Sequence, residues 1–296
     1  MNYQQYDLEA LMDGPLASLF CCIGDPVVGN PTQYMMEKAF EYLSLPYRYL
    51  TMNVEKEQLE NAIKGLKALN FSGYNITSPH KINAIPFLDT LTPSAALSNA
   101  VNCVYQDGNT STGDNTDGKG FITAVTEVKS IKGMKVLVFG SGGAARAIIC
   151  ELALHEASSI TIVNRSVEKA LQIKEDLKGK VETTIEVAPL TDGMKIDDSY
   201  DLIVQATSVG LFDEKGRLPL TWEKGDYSKC IASDVVFNPI NTLFLQEALQ
   251  MGCTCVDGLG MLVYQGAIAF EKWTGKKAPL EVMKNALIEA FSDKGI

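Results

Sequence analysis

Val136-Leu-Val-Phe-Gly-Ser-Gly-Gly-Ala-Ala-Arg146 decides the fold of this chain. An apolar run stops at Gly140, a small-residue turn follows, and a helix-prone run begins at Ala144. That order lets backbone approach a pyrophosphate, which the free N–H groups and positive end of the helix then hold. The spacing Gly140-x-Gly142-x-x-Ala145 fits a dinucleotide fingerprint with Ala in the third place, so Gly140, Ser141, Gly142, Gly143, Ala144 and Ala145 form the candidate loop. After the next strand, Ser159–Val163, a NAD site carries Asp or Glu for the ribose hydroxyls. Here the chain reads Asn164-Arg165-Ser166, with Lys169 one helical turn on. Arg165 offers a planar fork to a 2′-phosphate, which points to NADP. Two surface cations are the plainer reading of Arg165 and Lys169.

Working outward, the 296 residues are 46% hydrophobic and 21% charged, enough for one large domain or two medium ones. A net charge of −10 argues against a nucleic-acid surface, which needs a basic face. An anionic cofactor must then bind through local donors against an unfavourable overall field. No apolar run is long enough to span a membrane. Met1–Gly14 lacks a basic region followed by an apolar core, so no secretory signal is expected. Seven cysteines without ligand spacing predict reduced thiols, a cytoplasmic protein and no metal. A homodimer is one assembly open to such a chain.

Strand and helix patterns alternate throughout, which predicts an α/β fold with parallel sheets. Before the loop we expect strands at Ser18–Gly24, Tyr47–Met52 and Gly73–Thr77, and helices at Thr32–Leu43 and Glu55–Leu69. A short helix is expected over Pro79–Ile85, with Pro79 in its first turn. Val101–Gln106 and Ser111–Asp114 read as a hairpin, followed by a helix over Asp117–Val128. The dinucleotide unit comprises strand Lys135–Phe139, helix Ala144–Leu154, strand Ile160–Val163 and helix Val167–Leu177. Weaker strands are expected near Thr183–Val187, Leu202–Gln205 and Ile231–Val236, then a helix Leu243–Gln250 capped by Thr242. Leu259–Phe291 reads as two helices joined near Gly275 and Pro279. The dinucleotide unit therefore begins mid-chain, which suggests a substrate domain interrupted by a cofactor domain.

Several polar segments could carry chemistry. In Asn75-Ile-Thr-Ser-Pro-His-Lys81, Asn75 and Thr77 lie on one side of an extended chain and suit the hydroxyls of a small polyol. A helix-capping turn with a solvated Lys81 explains the same residues. His80 is expected to be exposed beside the helix start, and His155 to favour a helix C-terminus. The turn before the next helix is explained by capping from Asp114, Asn115 or Asp117, or Asp117 is a carboxylate aimed into a cleft, where it could orient a lysine. Asn99 and Asn102 are turn residues or ligand donors. Gln265, between Leu262 and Ile268 on an apolar helix, needs partners: a core network or a substrate hydroxyl.

Together these segments resemble the shikimate dehydrogenase family, nearly from end to end. Asn75-Ile-Thr-Ser-Pro-His-Lys81 is similar to the family's Asn-Val-Thr-x-Pro-His-Lys, and Asn99-Ala-Val-Asn102 to its Gly-Ala-Val-Asn. Asp114-Asn-Thr-Asp117 resembles its Asn-Thr-Asp, and Asn164-Arg165-Ser166 its Asn-Arg-Thr. The glycine loop, Asp234-Val-Val-Phe-Asn238-Pro239 and Asp257-Gly-Leu-Gly-Met261-Leu-Val-Tyr-Gln265-Gly266 complete the set. The resemblance implies a two-domain α/β protein: an N-terminal α/β substrate domain over 1–118, completed by C-terminal helices in 259–296, and a Rossmann-like NADP-binding domain over 119–258. It implies NADPH-dependent, reversible reduction of 3-dehydroshikimate to shikimate, on the route to chorismate and the aromatic amino acids. Lys81 and Asp117 would be the catalytic pair. Asn75, Thr77, Asn102 and Gln265 would bind substrate hydroxyls. Thr207, Val235, Gly258 and Met261 would add to the cofactor site. A non-catalytic NADPH-binding regulator would have no need of the Lys81–Asp117 pair.

One end of the implied site departs from the family. Its Gly-x-Pro-Ile-x-His-Ser-x-Ser-Pro motif aligns with Gly24-Asp-Pro26-Val-Val-Gly29-Asn30-Pro-Thr32-Gln33. The two family serines grip the substrate carboxylate; here Asn30 and Thr32 replace them. A family tyrosine that points to the same carboxylate is Phe237. The three changes cluster, so an altered acid end with intact redox chemistry is expected, open to quinate or an amino-substituted or otherwise modified acid. Asn30 and Thr32 can still hydrogen-bond an acid.

Overall fold

The computed structural model describes residues 18–27 and 29–293, the last two by backbone only. Met1–Gly14 and Val28 lie outside the described residues.

The first half contains β1 (Leu19–Gly24), α1 (Thr32–Tyr42), β2 (Arg48–Asn53), α2 (Leu59–Ala68), β3 (Gly73–Ile76), β4 (Thr90–Leu91), α3 (Pro93–Ser98), β5 (Cys103–Asp107) and β6 (Thr110–Asp114). The strands form one sheet in the order β2-β1-β3-β5-β6-β4. β1 runs parallel to β2 and β3, and β5–β6 is the antiparallel hairpin expected around Asp107-Gly108. Helix α4 (Thr116–Thr126) then leads into β7 (Lys135–Phe139), α5 (Gly143–Leu154), β8 (Ser159–Asn164), α6 (Val167–Leu177) and β9 (Thr184–Pro189). A short parallel pair, β10 (Met194–Ile196) and β12 (Leu220–Trp222), brackets β11 (Leu202–Gln205). The chain ends with β13 (Ile231–Asp234), α7 (Leu243–Met251), β14 (Thr254–Val256), α8 (Gly258–Thr274) and α9 (Leu280–Asp293).

The second sheet is wholly parallel, in the order β14-β13-β11-β7-β8-β9. Its central strands are buried on both faces, hence their continuous apolar runs. Connections run one way from β7 through β8 to β9 and the other way from β11 to β13 and β14. The switch point lies between β7 and β11, where α/β sheets bind ligands at the carboxyl ends of their strands. Gly140 sits there with φ +116°, and a Cβ on it would lie 2.6 Å from the Ala206 carbonyl after β11. Only glycine tolerates both the backbone conformation and that approach.

Each sheet has an apolar core on both faces. Leu259, Val263, Phe270, Met283 and Leu287 of α8 and α9 pack with Phe20, Met35, Met36 and Phe40 of the first half. Helix α4 is squeezed between the two halves. A Cβ on Gly118 would meet the Ala147 carbonyl of α5 at 2.4 Å, and one on Gly120 the Gln265 nitrogen of α8 at 2.6 Å. These glycines bring the helix carrying Asp117 against both α5 and α8.

The sequence reading differs from the fold around Pro79–Ile85, by one residue at the start of α4, and in the shortest elements. Pro79–Ile85 is not an α-helix: Ser78-Pro79 is cis, turns follow, and a 3₁₀ turn spans Ile85–Phe87. His80 is fully buried rather than exposed, because its Nε2 lies 2.6 Å from the Val54 carbonyl in the packed turn. Helix α4 begins at Thr116, capped by Asn115, whose Oδ1 accepts from the Asp117 N–H at 3.1 Å. Asp117 is therefore free of capping duty. Strands β4, β10, β12 and β14 and helix α3 are too short to show a period in sequence.

Candidate active site

A cavity of about 760 Å³ opens at the switch point, between the second sheet and the first half of the chain. The first half contributes Asn30, Thr32, Asn75, Thr77, Lys81, Asn102 and Asp117. The second contributes Gly142, Gly143, Ala144, Thr207, Val235 and Phe237, and α8 contributes Gly258, Met261 and Gln265.

Lys81 and Asp117, 36 residues apart, form an ion pair with Nζ–Oδ2 2.6 Å. Both are mostly buried, at 26% and 13% side-chain exposure, yet both line the cavity. The second carboxylate oxygen accepts from Asn102 Nδ2 at 2.7 Å. Asn102 is fully committed to the protein: Nδ2 also donates to Thr116 Oγ1, and Oδ1 accepts from the Thr116 N–H at 2.7 Å. It fixes Asp117, which in turn holds the lysine.

The turn beneath Asp117 is anchored by buried Asp114. Its Oδ1 accepts from Thr92 Oγ1 (2.5 Å), the Asn115 N–H (2.8 Å) and Lys119 Nζ (2.6 Å), and Lys272 Nζ lies 3.4 Å from Oδ2. Burial pushes the Asp114 carboxyl up, but the Lys119 and Thr92 hydrogen bonds and the two lysine charges hold it below the usual carboxylate range.

Asn75, in β3, has Oδ1 accepting from Tyr49 OH at 2.7 Å and Nδ2 donating to the Asn102 carbonyl at 3.0 Å. One N–H remains for a ligand. Tyr49, fully buried, is an orienting residue that sequence reading missed, since nothing in Arg48–Asn53 distinguishes it from core. Gln265 is 7% exposed, donates to the Leu262 carbonyl at 3.1 Å, and faces the cavity. Thr77 lines the same cavity.

On the dinucleotide side, α5 starts at Gly142–Gly143 with no side-chain cap, so its first N–H groups point into the cavity unpaired. Ala145 is fully buried, where a larger residue would push helix from sheet. Gly140 and Ser141 form the turn itself. Gln205, a second residue missed from sequence, shapes the β11 loop: Oε1 accepts from the Thr207 N–H (2.6 Å) and Nε2 donates to the Val209 carbonyl (2.9 Å). Its signal was a lone amide in an apolar strand. Asp257 caps α8 through the Leu259 and Gly260 N–H groups and so places Gly258 and Met261. Asn164 Nδ2 donates to the Ser166 carbonyl at 2.9 Å, shaping the turn that carries Arg165. Arg165, Ser166 and Lys169 are exposed at this turn and lie outside the cavity lining. The arrangement fits a dinucleotide laid from the α5 N-terminus to Arg165, with its reactive ring toward Gly258, Met261 and Lys81.

At the cavity's other end Asn30 Nδ2 donates to Cys22 Sγ at 3.2 Å, and Asn30 Oδ1 accepts from the Thr32 N–H at 2.9 Å. Burial pushes the Cys22 thiol up to about 12, so it stays protonated. Phe237 stacks on Phe291 (5.4 Å, 22°) and meets Phe212 edge-on (6.2 Å, 86°).

Comparison with known proteins accords with this geometry. Residues 22–104 match the model of the shikimate dehydrogenase substrate binding domain, 123–212 that of shikimate / quinate 5-dehydrogenase, and 258–288 that of the shikimate 5'-dehydrogenase C-terminal domain. The shikimate dehydrogenase (NADP(+)) of Methanococcus aeolicus is 38% identical over 268 residues, covering 90% of this chain and 95% of that one. This chain belongs to the shikimate dehydrogenase family. Two solved structures share its family fold. The ligand-free 5-ketofructose reductase of Gluconobacter superposes with TM-score 0.88 at 38% identity, covering 93% of this chain and 99% of that one. The shikimate 5-dehydrogenase of Thermus thermophilus, in complex with NADP(H) and shikimate, gives 0.80 at 32% identity, covering 92% and 99%. Its family fold pairs a substrate-binding α/β half with a Rossmann-like half. Among the described residues no cluster could hold a metal ion, and no helix is long and apolar enough to cross a membrane.

Proposed function

We propose that this chain is an NADP-dependent shikimate dehydrogenase, interconverting 3-dehydroshikimate and shikimate on the route to the aromatic amino acids. The observation that carries the reading is the Lys81–Asp117 pair, 2.6 Å apart, in the cavity that also receives the uncapped start of α5. The substrate domain is taken as 1–118 with 259–296, and the cofactor domain as 119–258. The cytoplasm is its proposed location, in keeping with seven free cysteines.

When bound, the nicotinamide supplies hydride to the ring carbonyl carbon. Lys81, as ammonium, donates a proton to the developing alkoxide and stabilises its charge beforehand. Asp117 holds Nζ in place, and Asn102 keeps Asp117 from turning away. In the oxidative direction Lys81 takes the proton back. Asn75, Thr77 and Gln265 orient ring hydroxyls. The α5 N-terminus carries the pyrophosphate with Gly140–Ala145, and Arg165, Asn164, Ser166 and Lys169 select the 2′-phosphate. Thr207, Val235, Gly258 and Met261 line the nicotinamide end.

The changed acid end favours a second reading, in which the substrate is quinate or a modified acid. The name of the Gluconobacter relative adds an uncharged ketose to that range. The test is a panel of these ketones and alcohols with NADP(H), followed by cofactor absorbance. Absence of turnover across the panel, with NADPH still bound, would favour a regulator instead.

A further inference from the structure

Three residues that line the cavity, Asn30, Thr32 and Phe237, stand where the family places hydroxyls for a carboxylate. An acid bound in water must recover its hydration from hydrogen bonds or a cation. Little of either is on offer here: one Asn30 N–H and the Thr32 hydroxyl remain, and no uncompensated cation lines the cavity among the described residues. Lys81 and Asp117 are the only charged side chains lining the cavity among the described residues, and they neutralise each other. Asn30 spends one amide N–H on Cys22 Sγ and its carbonyl on the Thr32 N–H. That second bond also occupies the first N–H of α1. Phe237 packs against Phe291 and Phe212 and presents an apolar ring at this part of the wall, with no donor for an acid. The net charge of −10 adds a weak long-range penalty for an anion.

We infer that this wall is a neutral-group subsite, and that the enzyme also reduces uncharged polyhydroxy ketones of six-carbon size. The inference rests on the hydride chemistry proposed above and changes only what the far end of the substrate carries. The hydroxyl ligands Asn75, Thr77 and Gln265 are indifferent to the missing acid. An uncharged hydroxyl or hydroxymethyl group needs only one donor or acceptor, which the remaining Asn30 N–H or the Thr32 hydroxyl supplies. Phe237 is then the specificity-determining residue, since a phenol in its place would put a donor at the wall without altering the ring contacts.

The experiment compares kcat/KM for 3-dehydroshikimate and 5-ketofructose, both with NADPH, in the wild type and in Phe237→Tyr. A hydrogen bond to a carboxylate is worth roughly tenfold to a hundredfold in binding. The wild type should use the uncharged ketone within about tenfold of the acid, or better. Phe237→Tyr should shift the ratio toward the acid by about tenfold, mainly through KM. A wild type that prefers the acid by much more than that, or a ratio unmoved by Phe237→Tyr, overturns the inference while leaving the proposed reaction standing. Turnover of neither ketone overturns both.

Discussion

Replacing Lys81 by alanine tests the chemistry at its centre. The ammonium is held 2.6 Å from Asp117, so its position costs nothing to organise during the reaction. Two estimates of its worth can be compared. A positioned general acid contributes roughly 10²–10⁴-fold, or about 3–5 kcal/mol. A unit charge about 3 Å from the alkoxide in an effective dielectric near 20 gives roughly 5 kcal/mol, reduced by the opposing Asp117 charge. The two overlap, so Lys81→Ala should lower kcat by about 10²–10⁴-fold. KM should change little, because the ground-state ketone is neutral and its hydroxyls are held elsewhere. Folding should be nearly unaffected, since Asp117 keeps its bond from Asn102 and the pair is partly exposed. Lys81→Arg separates two roles: it keeps a charge but holds its proton too tightly to donate, so it should be slow as well. Steady-state NADPH oxidation with 3-dehydroshikimate, on protein shown folded by circular dichroism, gives the answer. A kcat for Lys81→Ala within about tenfold of wild type would refute the assignment.

Three further outcomes follow from the structure. Arg165→Asp should weaken NADPH binding by roughly 1.5–3 kcal/mol and leave NADH binding nearly unchanged, read by cofactor fluorescence titration; equal losses for both would detach Arg165 from the 2′-phosphate. Burial raises the Asp234 carboxyl to about 6 from the model-peptide 3.8, although Thr242 Oγ1 (2.7 Å) and the Val236 N–H (2.9 Å) donate to it. The folded state therefore binds the extra proton between those values, and this group's contribution to stability falls as pH rises from about 4 to about 6. Asp234→Asn should flatten that segment of a urea-denaturation pH series by up to about 3 kcal/mol, and an unchanged slope would show that the carboxyl is not raised. Gly140→Ala, with φ +116° and a Cβ 2.6 Å from the Ala206 carbonyl, should cost about 1–3 kcal/mol or more in stability and impair NADPH binding. A variant with wild-type stability and affinity would contradict the close approach at the switch point.

The glycine loop and the alternating patterns made the parallel sheet legible, because buried parallel strands are continuous apolar runs and the turn between β7 and α5 admits few residue types. The lysine and its partner were paired only by the family resemblance, not by residue pattern. Their contact depends on α4 being pinned between α5 and α8 by Gly118 and Gly120, and close helix approaches leave no period in sequence. Pro79–Ile85 misled because proline suits both a helix start and a tight turn. The burial of His80 followed from that turn, not from its own neighbours in sequence. Tyr49 and Asn102 act through other side chains, a role fixed by three-dimensional partners, whereas Gln205 shapes the backbone just beyond its own strand. The departures at Asn30, Thr32 and Phe237 were visible from the start. What the fold added is that Asn30 is partly occupied by Cys22 and Thr32, and that Phe237 packs against two aromatic rings.

The central claim is that this cavity moves hydride between NADP(H) and a cyclic or linear polyhydroxy ketone, with Lys81 managing the proton. Its most direct measurement is single-turnover oxidation of enzyme-bound NADPH on mixing with 3-dehydroshikimate, with NADH in parallel. Rapid loss of cofactor absorbance with NADPH, much slower loss with NADH, and no loss with NADPH in Lys81→Ala are the predicted results. Equal rates for both cofactors, or a rate in Lys81→Ala matching wild type, would contradict the account.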